Sequence, residues 1–404
     1  MRVTIDRLGH LGDGIAPGPV YAFGALPGET VEGALEGDRL QNPKIVTPSP
    51  DRVRAPCRHA GRCGGCALQH ASDAFVAGWK TDVVRQALDA QGLDVPVRPI
   101  VTSPAGSRRR AVLSGRRTKA GAMIGFHERA SDQLVEIPDC RLLHPDILAA
   151  IPGLSALVVA GGSRKGELTL TVTRATGGPD VSVTCGKVAD GPLAAELAGL
   201  AGAHGLARLS WNGEVVAQSV HPEQIFGSAR VVPPPGAFLQ ATAEGEATLV
   251  AGVVEALGDA RSVADLFSGC GTFALPLARN ASVHAVEGDA AMLAALDAGW
   301  RRSTGLKAVT TETRDLFRRP LLADELARFD AVVIDPPRAG CEAQAQALAG
   351  STVPVIAAVS CNPVSFARDA RLLVAGGYRL KWVMPVDQFR WSTHVELVAR
   401  FSRQ

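Results

Sequence analysis

The chain has no basic tip followed by an apolar run at its start, so no secretory signal peptide is expected. No stretch approaches about 18 uninterrupted apolar residues, which predicts that no membrane span is present. Glycine and proline are plentiful, at 43 and 26, yet no tract of either is long enough to specify a disordered arm. Net charge is also scarce: 42 basic and 40 acidic residues leave +2, too little to identify a partner. A cytoplasmic location is the resulting expectation, with no membrane contact and no obligate protein partner. The eight cysteines are then read for a reducing compartment, where metal binding or catalysis is a commoner use than a disulfide.

With 404 residues, 46% hydrophobic and 20% charged, the chain can fill the cores of two or three domains. Its texture changes twice. Residues 1–50 contain strand-like pieces at 2–5, 19–23 and 29–35 between glycine turns, the pattern of small barrels that often bind oligonucleotides. Residues 51–240 begin with a Cys- and Gly-rich loop and a helix over about 73–90. A mostly β region follows, with strands at 111–113, 168–173, 181–184 and 214–219. Residues 241–404 alternate. Strands are expected at 262–267, 282–286, 308–311, 330–334 and 355–359, with helices at 244–257, 290–303 and 364–375. That alternation specifies an α/β domain with a largely parallel sheet, whose ligands sit at the carboxyl ends of the strands.

Charge is uneven. Between Arg98 and Lys119 there are seven basic residues and no acidic ones, with Arg108, Arg109 and Arg110 in succession. Such a segment can contact a polyanion through charge alone, although a solvated strand edge has the same composition.

The strand at 262–267 runs into Asp265-Leu266-Phe267-Ser268-Gly269-Cys270-Gly271-Thr272-Phe273, where two glycines permit a tight turn close to a ligand. A Walker phosphate loop would need a Lys followed by Ser or Thr, and a dinucleotide loop a third glycine; neither is present. Glu287, ending the next strand, is placed to accept from both hydroxyls of a ribose. Asp315, past the third strand, is placed to reach an adenine amino group. The three stations suit an adenosyl cofactor without a pyrophosphate, and Cys270 reads as a packing residue.

Asp335-Pro336-Pro337-Arg338 follows the fourth strand, its prolines stiffening the loop that presents Asp335. Ser360-Cys361-Asn362-Pro363 follows the fifth, which places a thiol beside the cofactor pocket as a candidate nucleophile. Near the end, Thr393-His394-Val395-Glu396 offers Glu396 as a general base, with His394 read as a surface histidine. Far upstream, Cys57, Cys63 and Cys66 stand in C-x5-C-x2-C spacing on a glycine-rich loop, and Cys140 is the best fourth ligand. Four thiolates suit either zinc or a [4Fe–4S] cluster.

Taken together these motifs resemble the RNA 5-methyluridine (uracil-C5) methyltransferase family. Residues 265–273 resemble its cofactor loop, Asp335 to Arg338 its DPPR motif, Ser360 to Pro363 its SCNP motif, and His394 to Glu396 its HVE motif. Phe238-Leu239-Gln240 resembles the start of its FxQxN segment, although Thr242 stands where the asparagine is expected. Ser268 replaces the cysteine common in the loop. The resemblance implies a Rossmann-like class I methyltransferase domain, preceded by a mostly β central domain and a small OB-like (TRAM-like) barrel. It implies S-adenosylmethionine as methyl donor, held by Gln240, Phe267, Thr272, Glu287, Asp315 and Asp335. Cys361 would add to uracil C6 and Glu396 would remove the C5 proton.

Because the ribosomal RNA members carry this cysteine pattern, the resemblance also selects a [4Fe–4S] cluster on Cys57, Cys63, Cys66 and Cys140, structural in role. It selects a uridine of 23S ribosomal RNA as substrate, with the basic residues gripping RNA around a flipped-out base. Competing readings are a transfer RNA uridine enzyme, a DNA or small-molecule methyltransferase, and a non-enzymatic iron–sulfur RNA-binding protein. The last predicts loss of Cys361 or Glu396, and both are present.

Overall fold

Residues 2–8 hydrogen-bond on two sides, and this curls the first sheet. Strand Arg2–Thr4 pairs with Thr30–Glu36, while Arg7–Leu8, three residues on, pairs with Asp13–Ala16. Val20–Phe23 and Arg39–Thr47 complete six strands, folded around Ile5, Ala22, Ala25 and Val31. The computed structural model describes residues 1–403. Buried Glu29 anchors this barrel to the following segment by accepting from both Arg52 and the backbone N–H groups of Leu26 and Ser49.

The second sheet has seven strands, in the order Leu134–Glu136, Ala122–His127, Arg110–Arg117, Glu167–Ala175, Gly178–Thr184, Arg208–Trp211, Glu214–Gln218. Only the Gly178–Thr184 and Arg208–Trp211 pair is parallel. Two helices, Pro145–Gly161 and Gly191–Ala203, cover it, and sequence reading missed both. Pro145–Gly161 is apolar on nearly every side and contains Pro152, so it shows no 3.6-residue alternation to detect.

The third sheet has eight strands. Val309–Thr313, Ser282–Glu287, Ser262–Leu266, Ala331–Ile334 and Val355–Ser360 lie side by side and parallel. Then Glu396–Ser402 inserts antiparallel, followed by Arg379–Asp387 and the short Val101–Thr102. The strand order reverses between Ser262–Leu266 and Ala331–Ile334, and the crevice at such a switch point is where ligands bind in this architecture. Val101–Thr102 and helix Asp73–Asp89 both come from the stretch before the second sheet, yet they pack on the third. The link is a fully buried ion pair: Lys80 Nζ meets Asp387 Oδ1 at 2.6 Å. No helix among the described residues is long and apolar enough to cross a membrane.

Candidate active site

Five parallel strands end on one side of the third sheet, and the antiparallel strand begins there. Residues that follow the parallel strands (Phe267, Asp335, Cys361) therefore share a rim with the one that opens the antiparallel strand, Glu396. Register makes this specific. Ser360 pairs with Leu397, so the next residues outward, Cys361 and Glu396, stand on neighbouring strands at the same level. All eight residues assigned above to cofactor or catalysis line one cavity of about 690 Å³: Gln240, Phe267, Thr272, Glu287, Asp315, Asp335, Cys361 and Glu396. Phe238, Met292, Phe317 and Arg338 also line it.

The glycine loop is a bent elbow. Phe267 is left-handed with φ +62°, an uncommon state for a residue with a Cβ, and Gly269 and Gly271 follow at +54° and +95°. A Cβ on Gly271 would come within 2.9 Å of Leu275 and Leu296, so helix packing requires this glycine as well as its dihedral. Glu287 braces the elbow, with Oε2 accepting from Gly269 N at 3.1 Å and Oε1 from Gly288 N at 2.7 Å. Asp315 Oδ1 accepts from Phe317 N at 3.0 Å. Thr242 also has a defined place. Its Oγ1 caps helix Ala243–Leu257 through Gly245 N at 3.0 Å and meets Ser103 Oγ at 2.7 Å.

The electrostatics are those of crowded carboxylates in a dry site. Burial, reinforced by Glu287, pushes Asp335 up to about 7. Burial, reinforced by Asp335, pushes Glu396 up to about 8, with a hydrogen bond from Gln388 opposing it. Asp265 is driven well above the carboxylate range by burial and by Asp335. Cys361 is pushed up to about 11 by burial and then by the charges of Glu396 and Asp335, while Arg338 pulls the other way. These shifts favour the thiol form of Cys361, and cationic charge entering the cavity would favour the ionised form of its carboxyl and thiol groups. Cys270 is buried and held at about 12, which fits a packing residue. His394 points away, with Nδ1 3.4 Å from Arg338 and its ring edge-on to Phe389.

A second, wider concavity of about 1050 Å³ lies between barrel, cysteine loop, second sheet and the turn at 389–394. Arg39, Arg62, Arg108, Arg110 and Arg129 line it, with Phe23, Phe126 and Phe389 among them. His394 lines this groove and touches Arg338 of the cavity, so the two hollows adjoin. The expectation for the arginine triplet needs correction. Arg109 is buried against Glu246 and Gln240 O, so it is a structural residue rather than a contact for a polyanion. Arg110 reaches the groove but is held by the carbonyls of Gly236 and Ala237. Arg98 and Arg116 are neutralised by Glu255 and Glu167. The arginines missed in sequence, Arg39, Arg62 and Arg129, are spread over 90 positions (39 to 129) and form no run; they too are paired, Arg62 with Glu128 and both Arg39 and Arg129 with Asp13.

Cys57, Cys63, Cys66 and Cys140 all face one small pocket, closed by Phe126, Ile137 and Leu142. Gly65 N points at Cys63 Sγ and Leu142 N at Cys140 Sγ, each at 3.4 Å. Among the described residues no group of three or more His, Cys, Asp or Glu side chains is close enough to hold a single metal ion. The donor set is all sulfur, walled by apolar residues and reached by backbone N–H groups. All-sulfur donors in an apolar pocket are the chemistry that an iron–sulfur unit takes. His59 is occupied by Asp139 at 2.9 Å.

No family model matches the chain. An uncharacterized RNA methyltransferase of Rhizobium meliloti is 45% identical, over 99% of this chain and 99% of its own length. One from Caulobacter vibrioides is 43% identical over 99% of both. The 23S rRNA (uracil(1939)-C(5))-methyltransferase RlmD of Chromohalobacter salexigens is 34% identical, covering 99% of this chain and 89% of that one. Among solved structures, the Pyrococcus abyssi tRNA (uracil-54, C5)-methyltransferase in complex with S-adenosyl-L-homocysteine is similar in fold. It superposes with a TM-score of 0.79 over 99% of both chains at 24% identity.

Proposed function

Because the chain belongs to the RNA uracil-C5 methyltransferase family, we propose that it methylates C5 of a uridine in 23S ribosomal RNA, with Cys361 as nucleophile and Glu396 as base. The observation that carries this reading is the register that sets Cys361 beside Glu396 on the rim of the cavity formed by the glycine elbow.

An unactivated uracil C5 is a poor methyl acceptor, so the reaction needs a covalent step. The Cys361 thiol gives up its proton to solvent as its sulfur adds to C6, and the displaced C5=C6 electron pair makes C5 nucleophilic. S-adenosylmethionine, when bound, supplies the methyl group and a positive charge. Gln240, Phe267, Thr272, Glu287, Asp315 and Asp335 would hold it. After transfer C5 still carries its proton. Glu396 takes it, the C5=C6 double bond re-forms, and the Cys361 sulfur leaves as thiolate. Cys361 and Glu396 are both disfavoured as anions in the protein alone, so cationic charge in the cavity promotes both roles.

In this reading residues 241–404 do the chemistry, while the barrel of residues 1–50 and the unit of 51–240 grip RNA in the arginine-lined groove. Arginine planes interleaved with phenylalanines suit unstacked bases and backbone phosphates. The four cysteines hold a [4Fe–4S] cluster that ties residue 140 to the loop of 57–66. Support is the shared apolar pocket and the N–H groups aimed at two sulfurs. The choice of 23S RNA over transfer RNA is supported by the 34% identical ribosomal relative.

Mapping of 5-methyluridine in ribosomal and transfer RNA from a deletion strain tests the substrate. Loss from 23S RNA is expected, and loss confined to transfer RNA defeats that choice. A Cys361→Ala protein with labelled methyl donor and 23S RNA tests the mechanism, since transfer at an undiminished rate rules it out. Iron and sulfide analysis of anaerobically purified protein tests the cluster; zinc without iron refutes it.

A further inference from the structure

Asn362 follows the nucleophile in its motif, and the reaction steps leave it without a task. Its side chain caps helix Pro363–Ala375, with Oδ1 accepting from Val364 N at 3.1 Å. That bond orients the amide, because a backbone N–H can only donate and the oxygen must face it. The amide nitrogen therefore turns the other way, where it donates to the Arg338 carbonyl at 2.9 Å. Ser365 Oγ lies 3.1 Å from the same carbonyl. Two motifs separated in sequence are thus bonded to each other: the turn of Ser360 to Pro363 and the loop of Asp335 to Arg338.

The same face of the helix continues the seam. Asp369 Oδ2 accepts from Cys341 N at 2.7 Å, and Arg368 donates to Ala339 O at 3.0 Å. Gly340 lets the loop lie this close, since a Cβ there would stand 2.5 Å from Asp369 Oδ2. Across the nucleophile, Asn362 N donates to Ser360 Oγ at 3.2 Å, which closes the turn around Cys361.

We propose that Asn362 is a positioning residue for methyl transfer: its amide locks the loop carrying Asp335 and Arg338 to the turn carrying Cys361. The inference rests on the reading of Cys361 as nucleophile. Cys361, Asp335 and Arg338 line one cavity, but they come from two loops that follow separate strands. Pro336 and Pro337 stiffen one loop internally, yet neither has an N–H with which to tie it to its neighbour. The Asn362 amide supplies that tie, at Arg338 itself. Arg338 is also a cation that opposes the upward shift of the Cys361 thiol, so its placement bears on the attacking group.

The test separates this tie from the helix cap. Asn362→Ser keeps an oxygen that can cap the helix, since serine and asparagine cap about equally well, but it has no amide to give. Asn362→Ala loses both. Each full-length protein is assayed with labelled S-adenosylmethionine and total RNA from a deletion strain, and is unfolded in urea. Both variants are expected to lose about tenfold in kcat with the KM for the methyl donor little changed, because small misplacements of reacting groups slow the chemical step. Only Asn362→Ala should lower the urea midpoint. A cap alone predicts otherwise: Asn362→Ser matches wild type in rate, and any loss in Asn362→Ala follows its midpoint. That result, a wild-type kcat in both variants, or a change confined to KM overturns the proposal. Should Asn362→Ser not fold, Asn362→Asp, equal in size and also a cap, is judged by the same criterion. Cys361→Ala is run alongside. If it is inactive while Asn362→Ser keeps the wild-type kcat, only the role of Asn362 fails; if Cys361→Ala keeps the wild-type rate, the assignment of the site itself fails.

Discussion

Replacing Lys80 by methionine removes the cation of a pair whose side chains are 0% and 1% exposed. Lys80 Nζ donates to Asp387 Oδ1 at 2.6 Å and to Phe389 O at 3.1 Å. In the variant, the Asp387 carboxylate stays buried with the backbone N–H of Phe389 at 3.0 Å as its remaining donor. Deleting one partner of a buried pair costs about 3–5 kcal/mol, most of it the uncompensated charge left behind. Asp387 closes the strand that precedes Gln388 and faces Glu396 across the sheet (Val386 pairs with Glu396), so activity falls together with stability. The assay is urea denaturation of Lys80→Met, of Asp387→Leu and of the double variant, followed by tryptophan fluorescence, since Trp382 and Trp391 flank the segment. The double variant buries no charge and should recover about 1–4 kcal/mol relative to the worse single variant. A Lys80→Met loss below about 1 kcal/mol, or a double variant whose loss equals the sum of the two, refutes the reasoning, since it means the ions are hydrated rather than mutually dependent.

Glu396→Gln should still allow addition of Cys361 and methyl transfer while blocking removal of the C5 proton. Turnover is expected to fall by about 10² or more, and a protein–RNA adduct should survive denaturing electrophoresis; no adduct with full loss of methyl transfer contradicts the assigned role. Glu396 also makes stability depend on pH. Its folded pKa of about 8 lies above the ordinary 4.5, so the native state holds the proton longer than the unfolded one. Stability of the ligand-free protein should therefore decline as pH rises across that window, and Glu396→Gln should flatten the decline in thermal melts. In the groove, Arg108→Ala should lower RNA affinity and reduce the salt slope of binding by about one. Arg109→Met should leave that slope unchanged and lower stability by about 3 kcal/mol or more, which equilibrium unfolding measures, because it strands Glu246.

How much of this was legible in the sequence depends on how each residue is connected. Cys361, Asp335, Glu287 and Phe267 follow strands whose apolar runs can be counted, and the parallel α/β pattern says which end of those strands carries chemistry. The arginines were misread for a reason of the same kind. Arg108, Arg109 and Arg110 are adjacent in sequence, but strand geometry sends successive side chains to opposite faces, so Arg109 turns inward while its neighbours reach the groove. A run of charge reports composition; the pleat decides which charge is exposed.

Lys80 and Gln388 were invisible for a different reason. Their partners lie far along the chain, at Asp387 for Lys80 and at Gln240 and Ala241 for Gln388. Nothing local distinguishes either from a solvated surface residue. The antiparallel insertion of Glu396–Ser402 makes both consequential. Because that strand runs backwards, Glu396, the proposed base, sits at its beginning, just after the loop of 388–395, whereas Glu287, Asp315 and Asp335 stand at or just past the ends of strands. A residue at the start of a strand inherits whatever mobility its loop has, and a base must be held within about 0.5 Å of its productive geometry. The buried pair at Lys80 and the amide contacts of Gln388 anchor the start of that loop, at residues 387–389. The reversed strand brings Glu396 to Cys361, and it also creates the need for both devices.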